Sequence, residues 1–185
     1  MTATSEPKPM DKLSIAVLYW ETSPMADAIF QLVADSHCTV LDARLLSMGA
    51  DLNTLTLLLS GNWHQLASFE ARFAVLKKHH NLSSLIQRFS LRQHSIVALP
   101  YIAYIVAPDA ADVLSHIANF LLKLKIELHE LAATAYSAPV THAAMLGISL
   151  AFILPANPSI ADFRENFLIF CDEHNFEVTI EPQKN

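Results

Sequence analysis

Two spacings of apolar residues recur along the chain, and together they predict its elements. Leu13 to Trp20 reads as an apolar run of strand length, the signature of a buried strand. Ser23-Pro24 follows. A serine cap with proline in the first helical position marks a helix start. Met25, Ala28, Ile29, Leu32 and Val33 then form one helical stripe. Cys38 to Met48 and Leu52 to Ser60 are strand-like, with Gly49-Ala50-Asp51 as their turn. Trp63 to His79 carries the stripe Leu66, Phe69, Phe73 and Leu76, and Leu82 to Phe89 is a last strand. The predicted order is β-α-β-β-α-β.

The second half repeats that order. Tyr101 to Val106 reads as a strand, and Asp109 to Lys123 as a helix with Pro108 before it. Ile126 to Ala135 and His142 to Leu154 form a hairpin. Pro158 to Glu173 reads as a helix and Phe176 to Glu181 as a strand. Gln87 to Val97, with Arg88, Arg92 and His94, reads as the linker region. The expectation is an α+β chain of two ferredoxin-like domains, with antiparallel sheets and helices on one face. A mobile tail covers 1–11, the first domain 12–91, a linker 92–97 and the second domain 98–182.

The halves also match residue by residue. Adding 94 carries Leu66, Phe69, Phe73, Leu76 and His80-Asn81-Leu82 onto Ile160, Phe163, Phe167, Phe170 and His174-Asn175-Phe176. Adding 85 carries Ala26-Asp27-Ala28-Ile29 onto Ala111-Asp112-Val113-Leu114. The pattern indicates a duplication, with an insertion of about nine residues in the second copy near Tyr136 to Thr141. Strands of the second copy are apolar on both faces; Tyr101, Ala103 and Ile105 alternate with Ile102, Tyr104 and Val106. A second apolar face asks for a cover, either the other repeat or a second chain, and a homo-oligomer is the expectation.

Composition narrows the class. Apolar residues are 52% and charged residues 16%, more apolar than a disordered chain. Gly49, Gly61 and Gly147 are the only glycines, where ordinary usage would give about a dozen. Neither GxGxxG nor a P-loop can be built from them. Cys38 and Cys171 form no CxxC pair and no thiolate zinc site. The thiol count fits a reducing cytoplasm. A net charge of −6 argues against direct nucleic-acid binding, which needs a basic face. Met1 to Lys12 is polar, carries Pro7 and Pro9, and has no apolar targeting core. Ala143 to Leu154 is too short to span a bilayer, so no membrane is expected.

Catalytic signatures are missing: the chain has no GxSxG, HExxH or catalytic-cysteine motif. No cofactor, no metal and no enzymatic activity are expected. Glu127 and His129 would share a strand face but offer too few ligands for a metal. His79-His80 and His174 stand at helix ends, where imidazole suits the dipole. Cys38 reads as a small buried hydrophobe. Asp42 and Arg44 share a strand face, as a surface ion pair or as a seat for an amino-acid zwitterion. The strongest candidate is the loop Trp20-Glu21-Thr22-Ser23-Pro24, which joins a buried strand to a helix N-terminus. Free N–H groups there attract carboxylates, and Thr22 and Ser23 add hydroxyls. Ala107-Pro108-Asp109 is the weaker counterpart, with the single carboxylate of Asp109.

Three strings carry a family resemblance: Cys38-Thr39-Val40-Leu41-Asp42-Ala43-Arg44-Leu45, Ser47-Met48-Gly49 and Leu57-Leu58-Leu59-Ser60-Gly61-Asn62-Trp63. With the duplicated β-α-β-β-α-β unit, they resemble the glycine cleavage system transcriptional repressor family, built of tandem ACT domains. The resemblance implies a cytoplasmic, non-catalytic regulator that acts through a transcriptional activator protein in response to an amino acid such as glycine. It places the effector at the first strand–helix loop, with Glu21, Thr22, Ser23 and Met25 in the site. The family loop reads like Asp-Arg-Pro-Gly-Ile; here Pro24 matches, and Met25 stands in the glycine's place. The alternative is a ligand-less interaction module that dimerises through its apolar sheet faces.

Overall fold

The computed structural model describes residues 11–20, 24–49, 51–80, 82–89, 100–154 and 159–183. The chain divides into two compact units. The first holds β1 (Asp11–Trp20), α1 (Met25–Asp35), β2 (Thr39–Met48), β3 (Leu52–Gly61), α2 (Trp63–His80) and β4 (Ser83–Phe89). Its four strands lie in the order β2-β3-β1-β4, every pair antiparallel. The second holds β5 (Pro100–Pro108), α3 (Val113–Lys123), β6 (Glu127–Ser137), β7 (Ala144–Ile153), α4 (Ile160–Glu173) and β8 (Glu177–Pro182), in the order β6-β7-β5-β8. Each unit is a ferredoxin-like βαββαβ domain, and the chain is α+β.

One face of each sheet packs on its two helices. In the first unit Leu13, Ile15 and Val17 stand opposite Leu59, Leu57 and Leu55, and all six are buried. Met25, Ile29 and Val33 of α1 and Leu66, Phe69 and Phe73 of α2 cover them. The second core is built alike from Tyr101, Ala103, Ile105 and Ala107, with Val113, Ile117, Leu121, Phe163, Phe167 and Cys171 over them. The opposite face of each sheet is left uncovered by its own helices. Only alternate residues of β1 and β5 are buried; Trp20 is 67% and Tyr104 50% exposed on the other face.

The duplication holds at the level of burial, but its upstream register shifts. Adding 88, not 85, carries the buried stripe Met25, Ile29, Val33 onto Val113, Ile117, Leu121. The same step carries the bulge between Val40 and Asp42 onto the bulge between Leu128 and Glu130. The extra residues fall mainly in the β6–β7 hairpin, where Ser137 pairs with Ala144 across a longer turn than Met48 with Leu52. α3 begins at Val113 rather than Asp109, because Pro108 belongs to the end of β5 and residues 111–112 form a turn. Arg88 is no linker residue: it lies in β4 and clasps Glu70 of α2 through two hydrogen bonds, 3.0 and 2.6 Å.

Scarce glycine leaves a mark at the helix ends. The residue just past α1, α3 and α4 has a left-handed backbone, and these are His37, Lys125 and Asn175 at φ 53–58°. Each is closed by the six-to-one bond of a Schellman motif, such as Ile126 N–H to the Leu121 carbonyl at 3.0 Å. Asn175 explains half of the recurring His-Asn pair; Asn81 lies outside the described residues.

Candidate functional site

Trp20 ends β1 and Pro24 precedes α1. Glu21, Thr22 and Ser23 lie outside the described residues. The helix start differs from the Ser23-cap expectation. Pro24 itself is the N-cap residue, at φ −68° and ψ 62°, and among the described residues no side chain caps the helix. Its carbonyl accepts the Ala28 N–H at 3.1 Å. The first amides of α1 thus have no side-chain acceptor among the described residues. The acid in this first turn is Asp27.

A cavity of about 200 Å³ adjoins this junction, lined by Leu18, Tyr19, Trp20, Met25, His80, Leu82 and Ser83. Met25 is 4% exposed and packs with Ile29 and Val33 in the core. Its side chain thus forms part of the cavity wall from the core side. Trp20 supplies an open aromatic face. His80, Leu82 and Ser83 come from the end of α2 and the start of β4. No local pattern ties them to the β1–α1 loop; only the antiparallel pairing of β1 with β4, Leu18 opposite Ser83, brings them there.

Asp42 and Arg44 do share a face, with the Arg44 Nε donating to Asp42 Oδ2 at 3.2 Å. They are not at the junction. Arg44 pairs across with Thr56, and Thr56 with Ala16. Ala16 is four residues from Trp20, about 13 Å along the strand. Both side chains are about half exposed, so the pair is worth under about 1 kcal/mol. In the second unit, Asp109 is exposed in the β5–α3 connection and its N–H donates to the Ala144 carbonyl at 3.0 Å.

A bulge interrupts β6 between Leu128 and Glu130. Leu128 faces Phe152 on the core side, and Glu130 pairs with Ala151 on the open side. His129 is the extra residue, so strict alternation does not fix its face, and Glu127 and Glu130 pair with Ile153 and Ala151 on one face. Among the described residues no group of three metal-ligating side chains gathers. No described helix is long and apolar enough to cross a membrane. Burial pushes the Cys171 thiol up to about 12, with Asp172 adding to it, and raises the Cys38 thiol as well.

The Leu57–Trp63 string proves architectural. Leu57 and Leu59 are core residues, and Ser60 is buried. A Cβ on Gly61 would stand 3.1–3.2 Å from the Gln65 side chain. Asn62 starts α2, and Trp63 is 61% exposed with the Arg88 guanidinium 5.9 Å from its ring centre.

No protein-family model and no curated protein matches the sequence. Solved structures do match. One, provisionally assigned as a glycine cleavage system transcriptional repressor, aligns with a TM-score of 0.72 at 18% identity, over 96% of this chain and 100% of that one. A protein of unknown function from Galdieria sulphuraria aligns with a TM-score of 0.72 at 14% identity, over 95% and 99%. A Streptococcus pneumoniae ACT domain protein aligns over 46% of this chain and 90% of that one, with a TM-score of 0.38 at 13% identity. The fold of this chain is a tandem ferredoxin-like arrangement, shared almost end to end with the first of these structures.

Proposed function

We propose that this chain is a non-catalytic, amino-acid-responsive regulator that modulates transcription indirectly by binding a transcriptional activator protein. The observation that carries this reading is the cavity where β1 meets the start of α1. A helix N-terminus offers N–H donors and a positive dipole end, which suit a carboxylate. The open ring of Trp20 suits an ammonium group. Thr22 and Ser23 would add hydroxyl donors and Glu21 a carboxylate for the ammonium. The volume of about 200 Å³ favours a small amino acid such as glycine or serine. The fold shared with a provisionally assigned glycine cleavage repressor supports the regulatory role.

The coupling follows from linkage. An effector that binds one state of the protein better shifts the population toward it, and the partner reads that state. The net charge of −6 suits a basic surface on the partner.

Thermal unfolding of the full chain against a panel of free amino acids tests the reading. An effector at about 100 times its dissociation constant stabilises by roughly 2.7 kcal/mol. For a chain of this size the midpoint rises by about 5–10 °C. The shift should be confined to one amino acid and its near analogues, and Ser23→Ala should reduce it. A midpoint that no amino acid moves at millimolar concentration overturns the sensor reading.

A further inference from the structure

Each sheet turns one face away from its own helices, and residues paired across neighbouring strands share that face. In the first unit Arg44 pairs with Thr56, Thr56 with Ala16 and Ala16 with Leu85. Leu46 and Leu18 stand in the next row, both opposite Thr54. Leu18 is 39%, Leu46 57% and Leu85 69% exposed. Among the described residues the charges on this face are Lys12, Arg44 and Asp42.

The same face of the second unit carries one sign of charge. Ile102 pairs with Glu181 and Val106 with Glu177, both on β8. On β6, Glu130 pairs with Ala151 and Glu127 with Ile153. Tyr104, 50% exposed, stands in the row between Ile102 and Val106. Four exposed carboxylates therefore flank an apolar band, and among the described residues these rows hold no cation. The duplication shows where the difference arose. Adding 88 carries Lys12 onto Pro100, Arg44 onto Ala132 and Thr39 onto Glu127. Adding 94 carries Ser83 onto Glu177 and Gln87 onto Glu181. Both cations stand on the first face only, and three of the four carboxylates replace neutral residues.

We propose that the chain forms a closed two-fold dimer in which the open face of each first unit covers the open face of the partner's second unit. Pairing of like faces would set four carboxylates against four. Pairing of unlike faces sets Lys12 and Arg44 against carboxylates and keeps the apolar bands in contact. A four-stranded face with strands of nine residues measures roughly 27 by 19 Å, on the order of 500 Å². The closed dimer covers four such faces, on the order of 2,000 Å², and stable interfaces bury about 1,200–2,000 Å². Each face is used once, so the assembly closes and leaves no surface for growth. The β1–α1 cavity and its effector are not required.

Light scattering coupled to gel filtration of the full chain, at micromolar concentration, should give twice the chain mass. Lys12→Glu with Arg44→Glu turns the first face acidic; Glu177→Lys with Glu181→Lys turns the second basic. Each double variant alone sets like charges against each other, so its dimer dissociation constant should rise by about a hundredfold or more. Mixed in equal amounts, the two variants should dimerise again, because every face then meets its opposite. The chain with all four substitutions should dimerise for the same reason, and this recovery also shows that the variants fold. A monomeric wild-type chain overturns the proposal, and assemblies larger than a dimer overturn its closure. A dimer that neither double variant weakens overturns the pairing of unlike faces. So do double variants that stay monomeric both in the mixture and when all four changes are combined. The thermal response to glycine or serine is read separately, so the two readings fail separately.

Discussion

Asn62 and Gln65 cap each other at the start of α2. The Gln65 N–H donates to Asn62 Oδ1 at 3.0 Å, and the Asn62 N–H donates to Gln65 Oε1 at 2.8 Å. Gln65 Nε2 also reaches the His37 carbonyl at 2.8 Å, tying this helix start to the end of α1. The pair is a capping box with asparagine and glutamine in its two places. It accounts for the Ser-Gly-Asn-Trp string without any ligand: Gly61 leaves room for Gln65, and Asn62 receives its N–H.

Asn62→Ala should therefore cost about 1 kcal/mol. For a chain of this size that lowers the melting midpoint by about 2–4 °C. Gly61→Ala should destabilise as well, because the new methyl would stand 3.1 Å from Gln65 Oε1 and push the cap aside. Urea melts of both variants check this. An unchanged midpoint for Asn62→Ala would remove the structural account of the string.

Lys125→Gly should stabilise the second unit. Lys125 holds φ 55° just past α3, a left-handed conformation that costs a side-chain-bearing residue about 1 kcal/mol. Glycine adopts it freely and is the usual residue there. The expected gain is about 0.5–1 kcal/mol. Asn175→Gly, at φ 58°, should gain less, since asparagine tolerates this region better than lysine. Denaturant midpoints of the two variants should keep that order.

Much of this architecture was legible in the sequence, and the misreadings have physical causes. The stripe Leu66, Phe69, Phe73 was visible because every member is buried against the sheet. The offset of 85 matched a short string, Ala26-Asp27-Ala28-Ile29, that straddles buried and solvent-facing positions of α1. The spacing Met25, Ile29, Val33 against Val113, Ile117, Leu121 carries the true register, because burial constrains those residues and solvent does not constrain their neighbours. The bulge at His129 was illegible because alternation assumes an unbroken pleat. His80 and Ser83 were missed at the candidate site because strand pairing, not sequence distance, brings them to Trp20.

Cys171 should resist thiol reagents at neutral pH while the chain is folded. It is 1% exposed, and burial pushes its thiol up to about 12 from an ordinary value of 9.0. The thiolate is the reactive form, so labelling should await unfolding. The linkage has a sign. The folded state keeps a proton that the unfolded chain gives up above pH 9.0, so this thiol's contribution is full below that pH and falls as pH rises toward about 12. Cys171→Ala should flatten the alkaline loss of stability while lowering stability at pH 7 through a core void. Mass spectrometry after brief alkylation, with and without urea, reads the first claim, and pH-dependent melts read the second.

Trp20 should report effector binding directly. It is 67% exposed, lines the β1–α1 cavity and shares the chain with one other tryptophan, Trp63. Trp63 sits at the start of α2 under Arg88. A Trp63→Phe variant therefore isolates the signal of Trp20. Adding the amino acid that raises the melting midpoint should change Trp20 emission, with saturation at the same concentration as the thermal shift. Trp20→Phe, which keeps Trp63, should show no such change. If the thermal shift persists in Trp63→Phe but its emission stays flat, the effector binds away from Trp20, and the cavity at the start of α1 loses its assignment. If emission and thermal shift saturate together, the first amides of α1 and the ring of Trp20 form one site. Ser23→Ala should then move both curves to higher concentration by the same factor.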